Sequence, residues 1–71
     1  MKFDLKIYEY HGNAVNIHGL CPADEEDLLE YVRLYEEDGF KCEQIRDDLF
    51  RCRNSEGVLV EIVIDKGISY E

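Results

Sequence analysis

Residues 24–40 read DEEDLLEYVRLYEEDGF, and this stretch predicts the single helix around which the fold is built. Apolar side chains recur in it at i, i+3, i+4 and i+7, which is the spacing of one buried helix face. The predicted buried stripe consists of Leu28, Tyr31, Val32 and Tyr35. Leu29 and Leu34 either widen this stripe or lie at its margins.

The two ends of the segment carry residues that are common at helix termini. Asp24 to Asp27 place negative charge at the positive end of the helix dipole. Pro22 suits the first helical turn, because its missing N–H costs nothing there. Gly39 is expected to close the helix, and Phe40 to make the apolar contact that usually follows such a glycine.

The same segment is strongly acidic. From Asp24 to Asp38 it holds eight carboxylates and one base, Arg33, a net −7 in a chain whose formal charge is −9. Like charges on one helix repel, so folding alone does not require this composition. Either the charge keeps a small protein in solution, or it attracts a basic partner. In both cases it opposes binding to nucleic acid and to anionic membranes.

The N-terminal part predicts a β-hairpin. Residues 2–10 alternate between apolar and polar side chains, as a half-buried strand does, and residues 14–18 form the second strand. A three-residue turn between them pairs Ile7 with Ile17 on the core face. A two-residue loop would leave Ile7 opposite His18, so the longer turn is predicted.

The C-terminal part predicts three strands, over residues 41–46, 49–54 and 58–64. The loop from Asn54 to Gly57 reads as a type I turn followed by a left-handed glycine, and it fixes the register of the last two strands. The core-facing pairs are then Cys52 with Val60 and Phe50 with Ile62. The pairs on the other face are Arg51 with Glu61, Arg53 with Leu59, and Leu49 with Val63. Residues 68–71 either add a short edge or fray.

The 71 residues therefore predict one compact α+β domain, residues 1–71, with two layers. One helix packs on an antiparallel sheet of four or five strands, in the order ββαββ(β). The opposite sheet face carries an apolar cluster, and exposed apolar patches often mark interfaces. If the acidic charge serves only solubility, we expect a homodimer or a partner contact through Leu49, Leu59 and Val63.

The cysteines argue against disulfides and metal sites. Three of them, Cys21, Cys42 and Cys52, without a secretory signal, predict free thiols in a reducing cytoplasm. In the predicted register Cys52 faces the core and Cys42 the opposite face. Only His18 and Cys21 have the close spacing of zinc ligands, and Asp24 to Asp27 lack the alternating ligands and central glycine of a calcium loop. No metal or cofactor is expected, and no apolar run is long enough to span a membrane.

The side chains that could carry catalysis are scattered along the chain. Ser55 lies in the predicted hairpin loop, Ser69 near the C-terminus and His11 in a turn, so no nucleophile is brought to a base. We therefore expect a protein that is not an enzyme.

Direct binding to nucleic acid is also not expected. Arg46, Arg51 and Arg53 could form a basic strip on the sheet, near Tyr8. The net negative charge opposes such binding, and Arg51 is expected to pair with Glu61.

The exposed side of the predicted helix carries Glu26, Glu30 and Glu37, which we name the acidic row. Adjacent helical turns lie about 5.4 Å apart, a scale similar to phosphates along a nucleic-acid strand, at about 3.4 Å of axis. Asp47 and Asp48, at a hairpin tip, form a second acidic spot. A protein that grips a nucleic-acid backbone could be occupied by such a surface.

In size, charge and α+β build the chain resembles small phage-encoded inhibitors, among them some anti-CRISPR proteins and inhibitors of DNA-repair glycosylases. The resemblance is one of general character and implies no residue roles. It favours a cytoplasmic binding module that mimics nucleic acid and occupies the basic site of a nucleic-acid-binding protein, such as a CRISPR effector or a DNA-repair enzyme.

Overall fold

The computed structural model describes the backbone of residues 2–70 and the side chains of residues 3–20 and 22–65. Its elements are, in chain order, β1 (Lys2–His11), β2 (Ala14–Ala23), α1 (Glu25–Glu37), β3 (Lys41–Arg46), β4 (Leu49–Arg53) and β5 (Leu59–Tyr70). The five strands form one antiparallel sheet in the order β2-β1-β5-β4-β3. The expected α+β class, with one helix packed on an antiparallel sheet, is confirmed.

The core lies between α1 and one face of the sheet. Leu28 and Val32 of the helix are buried, and Tyr31 and Tyr35 pack beside them, so the predicted stripe is confirmed. The sheet side of the core comes from alternate residues of its central strands. These residues are Phe3, Leu5, Ile7, Cys52, Val60, Ile62 and Ile64. Strand β5 lies at the centre of the sheet, between β1 and β4, and supplies three of these buried residues.

The helix begins later than predicted. Asp24 is the N-cap: its carboxylate accepts from the Asp27 N–H at 3.1 Å, and the Asp27 carboxylate accepts from the Asp24 N–H at 2.8 Å. This reciprocal capping box fixes the start at Glu25. Pro22 belongs to the end of β2, so its placement in the first helical turn was wrong. A proline is tolerated there because β2 is an edge strand.

The helix ends as predicted. Gly39 has φ +94°, and the Phe40 N–H donates to the Tyr35 carbonyl at 3.0 Å, which is the bond of a Schellman motif. The Phe40 ring meets the Tyr35 ring edge to face, with 5.2 Å between centroids. This contact orients Tyr35 toward β1.

The register of the first hairpin differs from the prediction. Its loop has two residues, with Tyr10 opposite Val15 and Ile7 opposite His18. Gly12 has φ +59° at the first loop position, which fits a type II′ turn. Turn geometry therefore outweighs the pairing that would bury more apolar surface. Val15 and Ile17 consequently lie on the face away from the helix, and both are exposed.

The prediction for Cys42 was also wrong. A register shift between Gln44 and Arg46 leaves Ile45 as the extra residue of a β-bulge, which reverses the alternation of the preceding residues. Cys42 therefore lies directly opposite Cys52, and the two form a disulfide. The Cys42 sulfur is 3.8 Å from the Val32 carbonyl oxygen, so the bond lies beneath the helix. The odd cysteine count no longer argues for a reducing compartment.

The last hairpin matches the prediction. Gly57 has φ +83°, and the Asn54 carboxamide oxygen accepts from the N–H groups of Glu56 and Val58, at 3.0 and 2.9 Å. Every predicted pair of β4 with β5 is present in the register. Residues 68–70 continue β5 beside the start of β1.

Candidate protein-binding surfaces

The acidic row lies on the helix side that faces away from the core. Glu26, Glu30 and Glu37 are exposed. None of the three takes part in an ion pair with any residue whose side chain the structure describes, and Arg33, which lies among them, forms none either. The three carboxylates therefore remain uncompensated within the described part of the molecule.

Two leucines flank the acidic row. Leu29 and Leu34 are each 52% exposed, one on either side of the row at 100° per residue. The outer surface of α1 is therefore a ridge of carboxylates bordered by apolar side chains. A partner that contacts this ridge would meet charge along its centre and apolar surface at its two margins.

The second acidic spot is less available than the row. Asp47 is exposed at the β3–β4 turn. Asp48 is half-buried, its carboxylate lies 3.3 Å from the Arg46 guanidinium, and its carbonyl accepts from the Ile64 N–H at 2.9 Å. Asp48 thus has a structural role in the turn, and Asp47 is the freer charge of the pair.

The sheet surface opposite α1, which we name the helix-free face, is apolar at one side and basic at the other. Strands β2 and β1 contribute Val15, Ile17, Tyr8 and Tyr10 to it. Five of the eight basic residues also lie on this face by strand alternation: Lys6, Lys41, Arg46, Arg51 and Arg53. Most basic residues therefore lie on the helix-free face, and the acidic row lies on the opposite side of the molecule.

Glu61 organises the middle of the helix-free face. Its carboxylate accepts from the Arg51 guanidinium at 3.1 Å and from the Tyr10 hydroxyl at 3.3 Å. The expected pairing of Arg51 with Glu61 is confirmed. Because Arg51 and Arg46 each contact a carboxylate, Arg53 is the member of the predicted basic strip that no described ion pair neutralises.

The apolar cluster predicted as an alternative interface is only partly available. Leu49, Leu59 and Val63 lie on the helix-free face as predicted, but all three are half-buried among their neighbours. Val15 and Ile17, at 49% and 64% exposure, offer more apolar surface than they do. The helix-free face therefore exposes more apolar surface at its β2 edge than at the centre of the sheet, where the sequence predicted it.

A cluster of titratable groups around Glu9 was not predicted from the sequence. The Glu9 carboxylate accepts from the Tyr35 hydroxyl at 2.5 Å and lies 3.3 Å from Nε2 of His11 and 3.8 Å from Nε2 of His18. The Tyr35 hydrogen bond lowers the pKa of Glu9. Burial, and then the contact with Glu9, raise the pKa of Tyr35. The two-residue loop of the first hairpin brings His18 to the helix side. A prediction of that loop from the sequence would therefore have indicated the cluster.

The Glu9 cluster lies at the surface where α1 meets β1. It borders an open pocket of about 350 Å³, which Tyr31 and Gly19 also line. The hydrogen bond from the Tyr35 hydroxyl holds the pKa of the Glu9 carboxyl below its usual value, so this carboxylate is the acceptor that joins the cluster. The cluster therefore attaches the end of α1 to β1.

Two properties of the described residues bear on function. No group of three or more His, Cys, Asp or Glu side chains there has an arrangement that could hold a metal ion. In the same residues, no helix is both long and apolar enough to cross a lipid bilayer.

Comparison of the chain with protein-family models, with curated proteins and with solved structures finds no match. The geometry and charge of these surfaces are therefore the observations that bear on function.

Proposed function

We propose that this chain is a protein-binding module that presents the acidic row to a basic site on another protein. The observation that carries the proposal is the separation of charge between the two sides of the molecule. Glu26, Glu30 and Glu37 are exposed without an ion pair to a described side chain, while most bases lie on the helix-free face. An uncompensated acidic ridge steers a basic partner toward α1 and raises the association rate.

The more specific form of the proposal is an inhibitor that mimics nucleic acid. Glu26 and Glu30 lie one helical turn apart, at about 5–6 Å, and Glu37 lies about 10.5 Å further along the axis with Arg33 between them. We infer that these carboxylates replace some of the backbone phosphates in a basic groove. Asp47 is the auxiliary charge at the hairpin tip. CRISPR effectors and DNA-repair enzymes have grooves of this kind.

Affinity capture tests the proposal. The chain is immobilised and incubated with lysate of its native host, and bound proteins are eluted with increasing salt. A parallel column carries the Glu26→Lys, Glu30→Lys, Glu37→Lys variant. We expect nucleic-acid-binding proteins to elute from the first column at moderate salt, and to be missing from the second.

A matched control separates the position of the charge from its amount. The variant Glu36→Lys, Glu43→Lys, Glu56→Lys changes the net charge equally, at exposed positions outside the acidic row. It should retain the captured proteins. Equal recovery on all three columns would refute the acidic row as the contact. The inhibitor form further requires that the chain displace labelled nucleic acid from the captured protein.

An interface on the helix-free face is the second candidate, and the apolar groups there favour it. Replacing Leu59 and Val63 with serine distinguishes the two. Association lost with the fold retained, as checked by circular dichroism, would support the sheet face. Unchanged capture would support the acidic row.

A further inference from the structure

The two edges of the sheet are built differently. Strand β3 has six residues, three of them charged, and it carries the bulge at Ile45. Charges and bulges protect an edge strand from pairing with another chain. Strand β2 is ten residues long and contains no Asp, Glu, Lys or Arg. Its proline, Pro22, and its register shift with β1 both lie beyond Leu20, so residues 14–20 pair regularly with β1. Strand β2 therefore lacks the charged protection that β3 has, in a protein where charged residues make up 35% of the chain.

The uncharged part of this edge, residues 14–20, also exposes apolar side chains. Val15 and Ile17 alternate on β2, lie beside Tyr10 and Tyr8 of β1, and are about half and two-thirds exposed. Alternate residues of β2 direct their N–H and C=O groups away from β1, since β2 is the last strand of the sheet. The β2 edge thus has backbone groups that another strand could pair with, next to apolar side chains that no further strand of the sheet covers.

We propose that a second copy of this chain pairs with β2 in antiparallel fashion, so that two sheets join into one of ten strands. The pairing has a twofold axis at Asn16. It places Val15 opposite Ile17 of the second copy on the helix-free face, and Asn16 opposite its own equivalent on the other face. Ala14 then lies opposite His18.

Charge favours a second copy as the occupant of this edge. A strand that pairs here should be uncharged, because the apolar row of β2 offers a charged side chain no counter-ion, and β2 of another copy is such a strand. Glu9, the carboxylate opposite Asn16, lies one strand inward, where it is bonded to Tyr35. The self-pairing register therefore brings no two carboxylates into direct opposition.

The salt dependence of this association has a definite sign. Each copy carries a formal charge of −9, so long-range repulsion opposes the dimer, and added salt should screen the repulsion. Salt should therefore strengthen the dimer, whereas it weakens binding of the acidic row to a basic partner. The dimer does not depend on the proposed function. Because salt should affect the two associations in opposite directions, an experiment can show that one is absent while the other is present.

Sedimentation equilibrium of the whole chain tests the proposal, from micromolar to millimolar concentration and at low and high salt. We expect the mass to rise from 8.4 kDa toward twice that value, and more so at high salt. Ile17→Lys places a charge at the paired edge and should weaken association at least about tenfold. Leu34→Lys alters a similarly exposed apolar residue on α1 and should leave association unchanged.

Cross-linking provides a test that does not depend on the stability of Ile17→Lys. Asn16→Cys places two thiols at the twofold axis, where directly opposed Cα atoms of antiparallel strands lie about 4.5–5.5 Å apart, within disulfide range. It should oxidise to a covalent dimer, whereas Ser55→Cys, in the last hairpin loop, should not. A monomer under every condition, or equal effects of the paired variants, would overturn the proposal.

Discussion

The disulfide between Cys42 and Cys52 should supply a large part of the stability of this small domain. Reduction is the cleanest perturbation, because both sulfurs stay in place while the cross-link is removed. The bond closes a loop with a sequence separation of 10. The chain-entropy relation gives about 2.7 kcal/mol of stabilisation for a loop of this length. In a domain of this size, about 2.7 kcal/mol corresponds to a fall in Tm of roughly 10–20 °C.

The assay is urea and thermal unfolding, followed by circular dichroism with and without a reductant. We expect the midpoint to fall on reduction and the urea m-value to rise, because the reduced unfolded chain exposes more surface. The double variant Cys42→Ala, Cys52→Ala is the control and should not respond to the reductant. Alkylation followed by mass spectrometry should label two more cysteines after reduction. Equal labelling, or an unchanged midpoint in the wild type, would refute the reasoning.

Three further predictions concern local contacts. Tyr35→Phe removes the hydroxyl that lowers the pKa of Glu9, so an NMR titration should show that pKa rising toward its usual value. In the wild type, the lowered pKa of Glu9 contributes free energy of unfolding that is lost as the pH falls through this pKa, and the variant should lose less. An unchanged titration of Glu9 would contradict this. Glu37→Lys should raise the free energy of unfolding by about 0.3–1 kcal/mol and Glu26→Lys lower it similarly, since they lie at opposite ends of the helix dipole; shifts of the same sign in urea titrations would be inconsistent with it. Gly57→Ala, at φ +83°, should cost about 1–2 kcal/mol, and an unaltered thermal midpoint would argue against that strain.

The sequence predicted the helix and the last hairpin well because their signals are local. The spacing of Leu28 and Val32 and the Gly39 terminus depend on neighbours within a few residues. Asn54 and Gly57 determine the loop, and the loop sets the register of β4 and β5. Such local features depend little on the tertiary structure of the rest of the chain.

The errors came from features that depend on the whole sheet. The first hairpin was assigned by maximising apolar pairing, but the type II′ geometry at Gly12 sets the register, and Val15 can stay exposed because β2 is an edge. The bulge at Ile45 has no strong local signature, yet it decides which face Cys42 occupies. The Glu9 cluster and the exposed apolar row of β2 both follow from the register of the first hairpin, so the prediction of the longer turn missed them.

The dissociation constant of a captured partner tests the central claim most directly. It is measured by isothermal titration calorimetry at several salt concentrations. The variants compared are Glu26→Lys, Glu30→Lys, Glu37→Lys and the matched Glu36→Lys, Glu43→Lys, Glu56→Lys. At about 1 kcal/mol for each lost pair, the first should weaken binding at least about a hundredfold and reduce its salt dependence. The control should stay close to the wild type. Equal affinities for the two variants would contradict the claim that the acidic row is the binding surface.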